Sequence, residues 1–292
     1  MDWHTLWHAI SHAFLHTIEE AALTLPILYI TYLLMELLEH KAGERVNSLI
    51  SRSGKVAPLF GGLLGAIPQC GFSAAAAGLY AGRVISLGTL LAVFLSTSDE
   101  MVPVLLAGKM PPLSVLLLVG VKAIAAVLCG FVIDLLYRPK QAAGQVEELC
   151  EQDGCHCEGK SVFVAALWHA LRVALFIFLA SFVLHIAIEL VGEERIAGLA
   201  FNIPVVGHLL AALIGLIPNC AASVVLTELY LGGAMSLGAM LSGLLVGAGV
   251  GILVLFRANR HAKENGMILL VLYAIGAALG MLFDLIGLGG IV

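Results

Sequence analysis

Two adjacent acidic residues, Asp99 and Glu100, lie inside a long apolar stretch over residues 85–107 and directly follow Ser96, Thr97 and Ser98. In the middle of a membrane span each carboxylate costs about 2.5–3.5 kcal/mol on insertion scales, so such residues face a cavity or a partner. Carboxylates near hydroxyls, amides and thiols favour a divalent cation such as Mn²⁺, Zn²⁺ or Fe²⁺. The alternative is an internal ion pair, with Lys122 as the partner.

A second set of polar residues occurs twice, inside Gly-rich apolar runs over 56–82 and 206–232. The two copies are Pro68-Gln69-Cys70 with Ser73, and Pro218-Asn219-Cys220 with Ser223. Proline breaks a helix, and the resulting half-helix ends leave backbone groups that bind ions. Amides add neutral oxygen donors and thiols add soft sulfur. We predict an ion site at the two breaks, and the alternative is close helix packing through small residues.

Both sets belong to an internal repeat. Residues 65–91 recur at 215–241 without a gap, at a constant offset of 150 (220 minus 70), and keep Pro, Cys, Ser and Tyr in step. In an apolar chain, such a repeat is typical of transporters whose site lies where the halves meet. The offset also pairs Glu39 with Glu189, Gly130 with Gly280, and Asp134 with Asp284. The paired aspartates fall near the ends of spans, so we interpret them as structural.

The composition is that of an integral membrane protein. The 292 residues are 60% hydrophobic and 12% charged, with a mean hydropathy of +1.01, whereas a soluble domain has about 25% charged residues. The net charge of −5 indicates no nucleic-acid partner. The sequence has no Gly-x4-Gly-Lys-Ser/Thr motif for ATP and no Cys-x-x-Cys pair in a span. We therefore expect no enzyme activity and no required cofactor, although a transported metal ion would be bound.

The distribution of Lys and Arg predicts how the chain crosses the membrane. If both Pro-containing runs cross as straight spans, these residues divide nine to four between the faces, but two hairpins make the division eleven to two. The positive-inside rule favours the hairpins. We therefore predict an all-α fold with an inverted-topology repeat, in which each half has three spanning helices and one re-entrant or broken hairpin, about ten helical segments in all.

The predicted organisation has four parts. They are an N-terminal interfacial His-rich helix (1–17), a first transmembrane repeat (18–138), an acidic Cys-containing cytoplasmic linker (139–162) and a second transmembrane repeat (163–288). Residues four apart share a helix face, and His4, His8, His12, His16 and Glu20 have this spacing. They form either a strip that collects metal ions or protons, or the polar face of an interfacial helix.

The linker contains a short tract of thiols and imidazole, Cys150-x4-Cys155-His156-Cys157. Tracts of this kind bind metals, but this one lacks two well-spaced pairs and lies among five acidic residues. An acidic flexible loop is the simpler interpretation, and metal binding by the tract stays open.

The paired segments Ile-Pro-Gln-Cys-Gly-Phe-Ser and Ile-Pro-Asn-Cys-Ala-Ala-Ser, with Ser-Thr-Ser-Asp-Glu between spans, resemble a bacterial family of ten-helix heavy-metal exporters. Its members are labelled arsenic efflux proteins or manganese transporters. The resemblance covers almost the whole chain. It implies export of a metal or metalloid from the cytoplasm, and it carries the site over to Gln69, Cys70, Asp99, Glu100, Asn219 and Cys220.

We therefore expect a secondary transporter that exports a divalent transition metal, Mn²⁺ first, by ion-coupled alternating access. It would be a multi-pass protein of a prokaryotic plasma (inner) membrane, with the bilayer and a small inorganic ion as partners; the sequence permits a homodimer. The alternatives are an arsenical or metalloid permease that uses the paired cysteines, and an intramembrane anion or lipid translocase. The expected binding residues are Gln69, Cys70, Ser73, Thr97, Asp99, Glu100, Asn219, Cys220 and Ser223, with breaks at Pro68 and Pro218.

Overall fold

The computed structural model describes residues 56–67, 71–98, 101–137, 162–191, 203 and 205–288, with single helical positions between 14 and 33. This part of the chain consists of helices and turns, without a strand. The helices are α1 (Ala57–Gly65), α2 (Gly71–Ala81), α3 (Leu87–Ser96), α4 (Met101–Ala107), α5 (Pro112–Leu136), α6 (Val162–Val191), α7 (Val206–Gly215), α8 (Cys220–Leu231), α9 (Leu237–Val246), α10 (Gly251–Ala258) and α11 (Ala262–Leu285).

The helices repeat as the sequence does. At an offset of 150, the bounds of α1–α5 coincide with those of α7–α11 to within one residue at each end. The same residue types start equivalent helices. The Ser86 hydroxyl accepts the Thr89 amide at 3.1 Å at the start of α3, and Ser236 accepts the Ala239 amide at 3.1 Å at the start of α9.

Two apolar runs that we predicted to be single spans, 85–107 and 234–256, are broken. Helix α3 ends at Ser96 and α4 begins at Met101, while α9 ends at Val246 and α10 begins at Gly251. The prediction of three spanning helices per half did not include these interruptions. Each pair of short helices still has the length and hydropathy of one membrane span, Leu87–Ala107 and Leu237–Ala258.

The two breaks have different local causes. In the first, Thr97 Oγ1 donates to Val93 O at 2.8 Å and Ser98 Oγ donates to Ser96 O at 3.0 Å. Hydroxyls that bind nearby backbone compete with the helical hydrogen bonds. The second break contains Gly247 and Gly249, and Gly249 has a φ of +51°, a conformation that glycine adopts without steric cost.

The broken helices form the centre of the molecule. The segment Leu237–Ala258 is 83% buried, whereas Pro112–Leu136 is only 28% buried. Helix α3 packs against α1 and α5, and α9 packs in the same way against α7 and α11. Leucines of α5 such as Leu113, Leu135 and Leu136 are exposed. An apolar exterior around a buried core is the arrangement of a multi-pass membrane protein, and four described segments are long and apolar enough to cross a bilayer.

The halves also exchange helices. Helix α2 of the first half packs against α10 of the second, and α8 of the second half packs against α4 of the first. The second helix of each predicted hairpin, α2 or α8, thus packs against the second part of the broken helix of the other half, α10 or α4. The two halves therefore meet at the breaks rather than along a flat interface.

One aspartate in each half holds the start of the broken helix. Asp134 at the end of α5 accepts the Ser86 hydroxyl at 2.6 Å and the Gly88 amide at 2.8 Å. Asp284 at the end of α11 accepts the Ser236 hydroxyl and, at 2.7 Å, the Gly238 amide. A carboxylate at a helix N-terminus is stabilising. These contacts agree with the structural role that the sequence predicts for both residues.

Candidate functional site

The tip of the second hairpin has a defined local structure. Helix α7 ends at Gly215, and Pro218 lies in the four-residue connection to α8. Asn219 caps α8: its Oδ1 accepts the Ala221 amide at 2.9 Å, and the residue is 3% exposed. Asparagine is favoured at this position because its side chain satisfies an amide that the helix leaves open. Cys220, the first residue of α8, is half-buried.

A small cavity lies beside this tip. Its volume is about 10 Å³, enough for about one water-sized group. The polar side chains on its wall are Asn219 and Ser223, and Gly247 and Gly249 contribute the break between α9 and α10. The remaining lining residues are Gly215, Ala222, Leu226 and Gly243. The hairpin tip and the broken helix of the second half therefore meet at a space that small residues leave.

Ser73 of the first hairpin reaches the same break from the other half. It is fully buried on α2, and a Cβ on Gly251 would lie 2.8 Å from the Ser73 Cβ and 2.9 Å from its carbonyl oxygen. Gly251 is the first residue of α10. The structure thus brings Ser73 and Ser223, one from each copy of the repeat, to the segment 247–251.

The first break contains a buried cation. Lys122 on α5 is 1% exposed, and its ammonium group donates to the carbonyl oxygen of Thr97. Thr97 is itself 2% exposed and directly follows α3. Thr97 is two residues before Asp99 in the chain. The Lys122 ammonium group is therefore close in sequence to the carboxylates with which it would pair in the alternative interpretation, an internal ion pair. In the second half the equivalent of Lys122 is Leu272, which is fully buried.

Several predicted site residues lie outside the described residues, and their roles stay predictions. They are Pro68, Gln69, Cys70, Asp99 and Glu100, the strip His4, His8, His12, His16 and Glu20, and the tract Cys150–Cys157. Within the described ranges, no group of three or more His, Cys, Asp or Glu residues is arranged to hold a metal ion. The described part of the site consists of hydroxyl and amide side chains, backbone groups and the thiol of Cys220.

Sequence reasoning missed a polar cluster that joins the halves, which we call the latch: Tyr80, Arg83 and Glu264. Arg83 donates to both carboxylate oxygens of Glu264, at 2.8 and 2.9 Å, and the Tyr80 hydroxyl donates to the same carboxylate. The Arg83 guanidinium also lies over the Tyr80 ring, 5.5 Å from its centroid. The hydrogen bond with Glu264 raises the pKa of the Arg83 guanidinium above its ordinary value. Bidentate pairs of arginine and carboxylate are stronger than hydrogen bonds between neutral groups.

The equivalent positions of the repeat cannot form a second latch. Gly233 replaces Arg83, and Ser114 replaces Glu264. Arg83 and Gly233 share a left-handed backbone, with φ of 58° and 72°, so the turn is kept and only the side chain differs. On that side the described contacts between halves include an apolar one, where a Cβ on Gly108 would meet the Leu231 side chain. The sequence did contain a signal for this cluster. Arg83 and Glu264 are charged in one copy of the repeat, whereas the equivalent residues of the other copy are uncharged.

The comparisons with known proteins agree with this architecture. A family model described as "Putative, 10TM heavy-metal exporter" matches residues 4–191, more than half of the 292 residues. The chain belongs to this family. The predicted resemblance is thereby confirmed, and the family makes it a multi-pass membrane protein of the heavy-metal exporter type, with the bilayer and a metal ion as its partners. No curated protein and no solved structure matches the chain.

The matched region contains the first repeat with Asp99, Glu100 and Lys122, and it ends with α6. The second hairpin and the second broken helix lie beyond it. Their relation to the matched part comes from the internal repeat, which pairs Asn219 with Gln69 and Gly247 with Thr97.

Proposed function

We propose that this member of the family is a secondary transporter that exports a divalent transition metal ion from the cytoplasm by alternating access, with Mn²⁺ as the first choice of substrate. The observation that carries the proposal is the meeting of both repeats at the 247–251 break, with Ser73 from one half and Asn219 and Ser223 from the other. Inverted-repeat transporters bind their substrates where broken helices of the two halves meet.

The chemistry of the residues favours a cation of borderline or hard character. Asp99 and Glu100 lie in the sequence directly before the first residue of α4, and carboxylate, hydroxyl and amide oxygens suit Mn²⁺. The C-terminal end of α9 at the cavity adds backbone carbonyl groups, and a helix C-terminus carries partial negative charge. The first half thus supplies charge, and the second supplies space and neutral oxygen. No resident cofactor and no catalytic residue are part of the proposal.

The proposed inverted topology is supported by contacts that straight spans would forbid. Asp284 contacts His208 at the start of α7 and Ser236 just after α8, so the segment between them begins and ends at one carboxylate. Arg83 and Glu264 would lie on opposite faces if both Pro-containing runs crossed the membrane. Their ion pair at 2.8 Å supports hairpins that return to their own side.

Alternating access requires that contacts between halves open on one face at a time. The latch is the polar contact on the face where we propose that the loops 39–55, 138–162 and 257–266 lie, which is the cytoplasmic face by the positive-inside rule. With the latch formed, the structure corresponds to a state closed on that face. Breaking the Arg83–Glu264 pair would be part of opening toward the cytoplasm.

A metal-resolved flux measurement tests the proposal. The purified chain in proteoliposomes should move Mn²⁺ in response to an ion gradient, and Asp99→Asn should not. Labelling of single cysteines in the 138–162 loop from the cytoplasmic side alone is expected for the inverted layout. Labelling of that loop from outside would contradict the proposed topology, but it would not test the choice of substrate.

A second candidate is export of trivalent arsenic, because the repeat keeps Cys70 and Cys220 in both copies and the structure has Cys220 beside Asn219 at the hairpin tip. Thiolates are soft ligands. Arsenite flux that disappears in the double Cys→Ser variant, without any Mn²⁺ flux in the unmodified chain, would favour this candidate.

A further inference from the structure

His208 is a buried histidine at the entrance of the second hairpin. It lies in the first turn of α7, is 7% exposed, and has its Nε2 3.1 Å from Asp284 Oδ2. The same carboxylate accepts the Ser236 hydroxyl and the Gly238 amide. One aspartate thus joins the first arm of the hairpin, the start of α9 and the end of α11.

These contacts determine the tautomer of the ring. An ionised carboxylate only accepts hydrogen bonds, so the Nε2 of a neutral His208 carries the hydrogen that is donated to Asp284. The Nδ1 atom then has a lone pair. Nδ1 is buried and has no hydrogen-bond partner among the described residues. The fold therefore holds a basic nitrogen whose orientation is set by a carboxylate on the other side of the ring.

The first half shows that the carboxylate does not need a histidine for its structural role. Asp134 holds the Ser86 hydroxyl and the Gly88 amide in the same way, and the position equivalent to His208 is Pro58. A Ser, a Gly amide and an Asp are thus sufficient to hold the start of a broken helix. His208 is an addition in one copy, and the helix anchor does not account for it.

Among the residues that the structure describes, few titratable groups lie on the helices packed against α7. Helix α9, which packs against α7, has no titratable side chain, and on α8 they are Cys220 at the hairpin tip, Glu228, which is exposed, and Tyr230. On α11 the Tyr273 hydroxyl donates to Leu209 O at 3.2 Å. Lys263 and Glu264 lie about 30 Å from Asp284 along α11. Asp284 is therefore the charge in direct contact with the ring.

We propose that His208 is a proton-binding site that regulates the transporter from the membrane face where α11 ends. A proton from that face binds Nδ1, neutral imidazole becomes imidazolium, and no other bond forms or breaks. The hydrogen bond between Nε2 and Asp284 becomes an ion pair that fastens α7 to α11. Because α7 is the first arm of the hairpin that lines the cavity, the protonated form slows hairpin movement and the neutral form releases it.

This inference rests on the proposed function, since it names the proton as the ion that controls metal export. Two measurements separate the two claims. The first is a nitrogen NMR titration of the full chain in nanodiscs with [¹⁵N]histidine, in which the His208 resonances are identified by their loss in His208→Gln. The second is Mn²⁺ export from proteoliposomes, with the pH on the α11-end face varied and the opposite pH held constant.

We expect His208 Nδ1 to gain a proton when the sample is acidified, while Nε2 stays protonated. Export by the unmodified chain should fall as that face becomes more acidic, by up to about tenfold per pH unit for one linked proton. Gln keeps an N–H donor for Asp284 but cannot take a proton, so His208→Gln should export at a rate that does not depend on that pH. Tyr273→Phe, which changes the neighbouring hydroxyl only, should keep the normal pH profile.

The inference is wrong if Nδ1 stays unprotonated throughout the titration, or if His208→Gln keeps the pH profile of the unmodified chain. Failure of the proposed function appears differently, as absence of Mn²⁺ flux at every pH with an intact His208 titration. The titration itself is recorded on the unmodified chain, and His208→Asn provides the assignment if His208→Gln does not fold.

Discussion

The two breaks at the centre of the molecule have the same position in the repeat and opposite chemistry. The first has Thr97 and Ser98, whose hydroxyls bind backbone carbonyls, with the buried ammonium group of Lys122 and the acidic pair that follows. The second has Gly247 and Gly249 beside a small cavity. The repeat has therefore kept the backbone frame, while charge is concentrated in one copy and space in the other.

The faces of the molecule differ in a similar way. One face joins the halves with Arg83, Glu264 and Tyr80, whereas on the other side Gly233 and Ser114 stand at the positions of Arg83 and Glu264. Under the proposed alternating access, near-identical backbone with unequal side chains would give the two faces different free-energy costs of opening. This inequality would favour one resting state over the other.

We expect the largest effect from variants that remove a negative charge from the first break. Asp99→Asn and Glu100→Gln should each abolish metal flux while thermal stability stays equal or increases, because a neutral side chain costs less in the membrane. Flux in proteoliposomes and thermal unfolding in detergent give the two readouts. Asp134→Asn is the matched control, and it should lower stability by about 1–3 kcal/mol, since it disturbs the hydrogen bonds to Ser86 and Gly88. Full flux in both Asp99→Asn and Glu100→Gln would indicate that these carboxylates have a structural role.

A smaller loss is expected when the second break is given the residue of the first. Gly247→Thr adds a side chain next to the cavity, where a Cβ would be 3.4 Å from Gly243 O, an ordinary contact. We expect flux to fall by roughly tenfold, about 1.4 kcal/mol in activation free energy, with little change in stability. Gly120→Thr on the outer helix α5 is the control, because a Cβ there meets nothing within 4 Å. Equal flux in both variants would argue that the cavity is not on the path.

The comparison of the two faces is sharpened by removing and exchanging the latch charges. Arg83→Ala or Glu264→Gln should make a cysteine introduced at Ala81, at the end of α2, more accessible to a thiol reagent, by a few-fold. An ion pair that is partly exposed contributes only about 1 kcal/mol. The exchange Arg83→Glu with Glu264→Arg should restore most of the protection. Gly233→Ala, at the equivalent turn, is not expected to change accessibility on the latch face, and a response there would make the effect general loosening.

The smallest expected effect concerns sulfur. If the substrate is Mn²⁺, oxygen ligands dominate, so Cys70→Ser and Cys220→Ser should each leave Mn²⁺ flux within about threefold of normal. Cells that carry the double variant should keep their manganese tolerance. Loss of arsenite tolerance in those cells, with no manganese phenotype for the unmodified chain, would contradict the choice of metal.

Much of the fold follows from the residues alone. The hydropathy predicts a helical membrane protein, because apolar side chains partition into lipid wherever they occur. The constant offset predicts equivalent helices, and the structure has them. Breaks at Pro218 and in Gly-rich runs are local properties of the backbone, so the sequence predicts them as well. The structural role of Asp134 and Asp284 was readable from their place at the ends of spans.

The breaks between α3 and α4 and between α9 and α10 escaped sequence analysis because the hydropathy stays high across them. A short interruption leaves the length of the apolar run unchanged, and neither interruption itself contains a proline, although Pro103 lies in the first turn of α4. The exchange of α2 and α8 between halves, and the pairing of Arg83 with Glu264 across 181 residues, depend on how helices pack in three dimensions. Likewise, His208 looked like any histidine in an apolar run until Asp284, 76 residues later, determined which of its nitrogens is left with a lone pair.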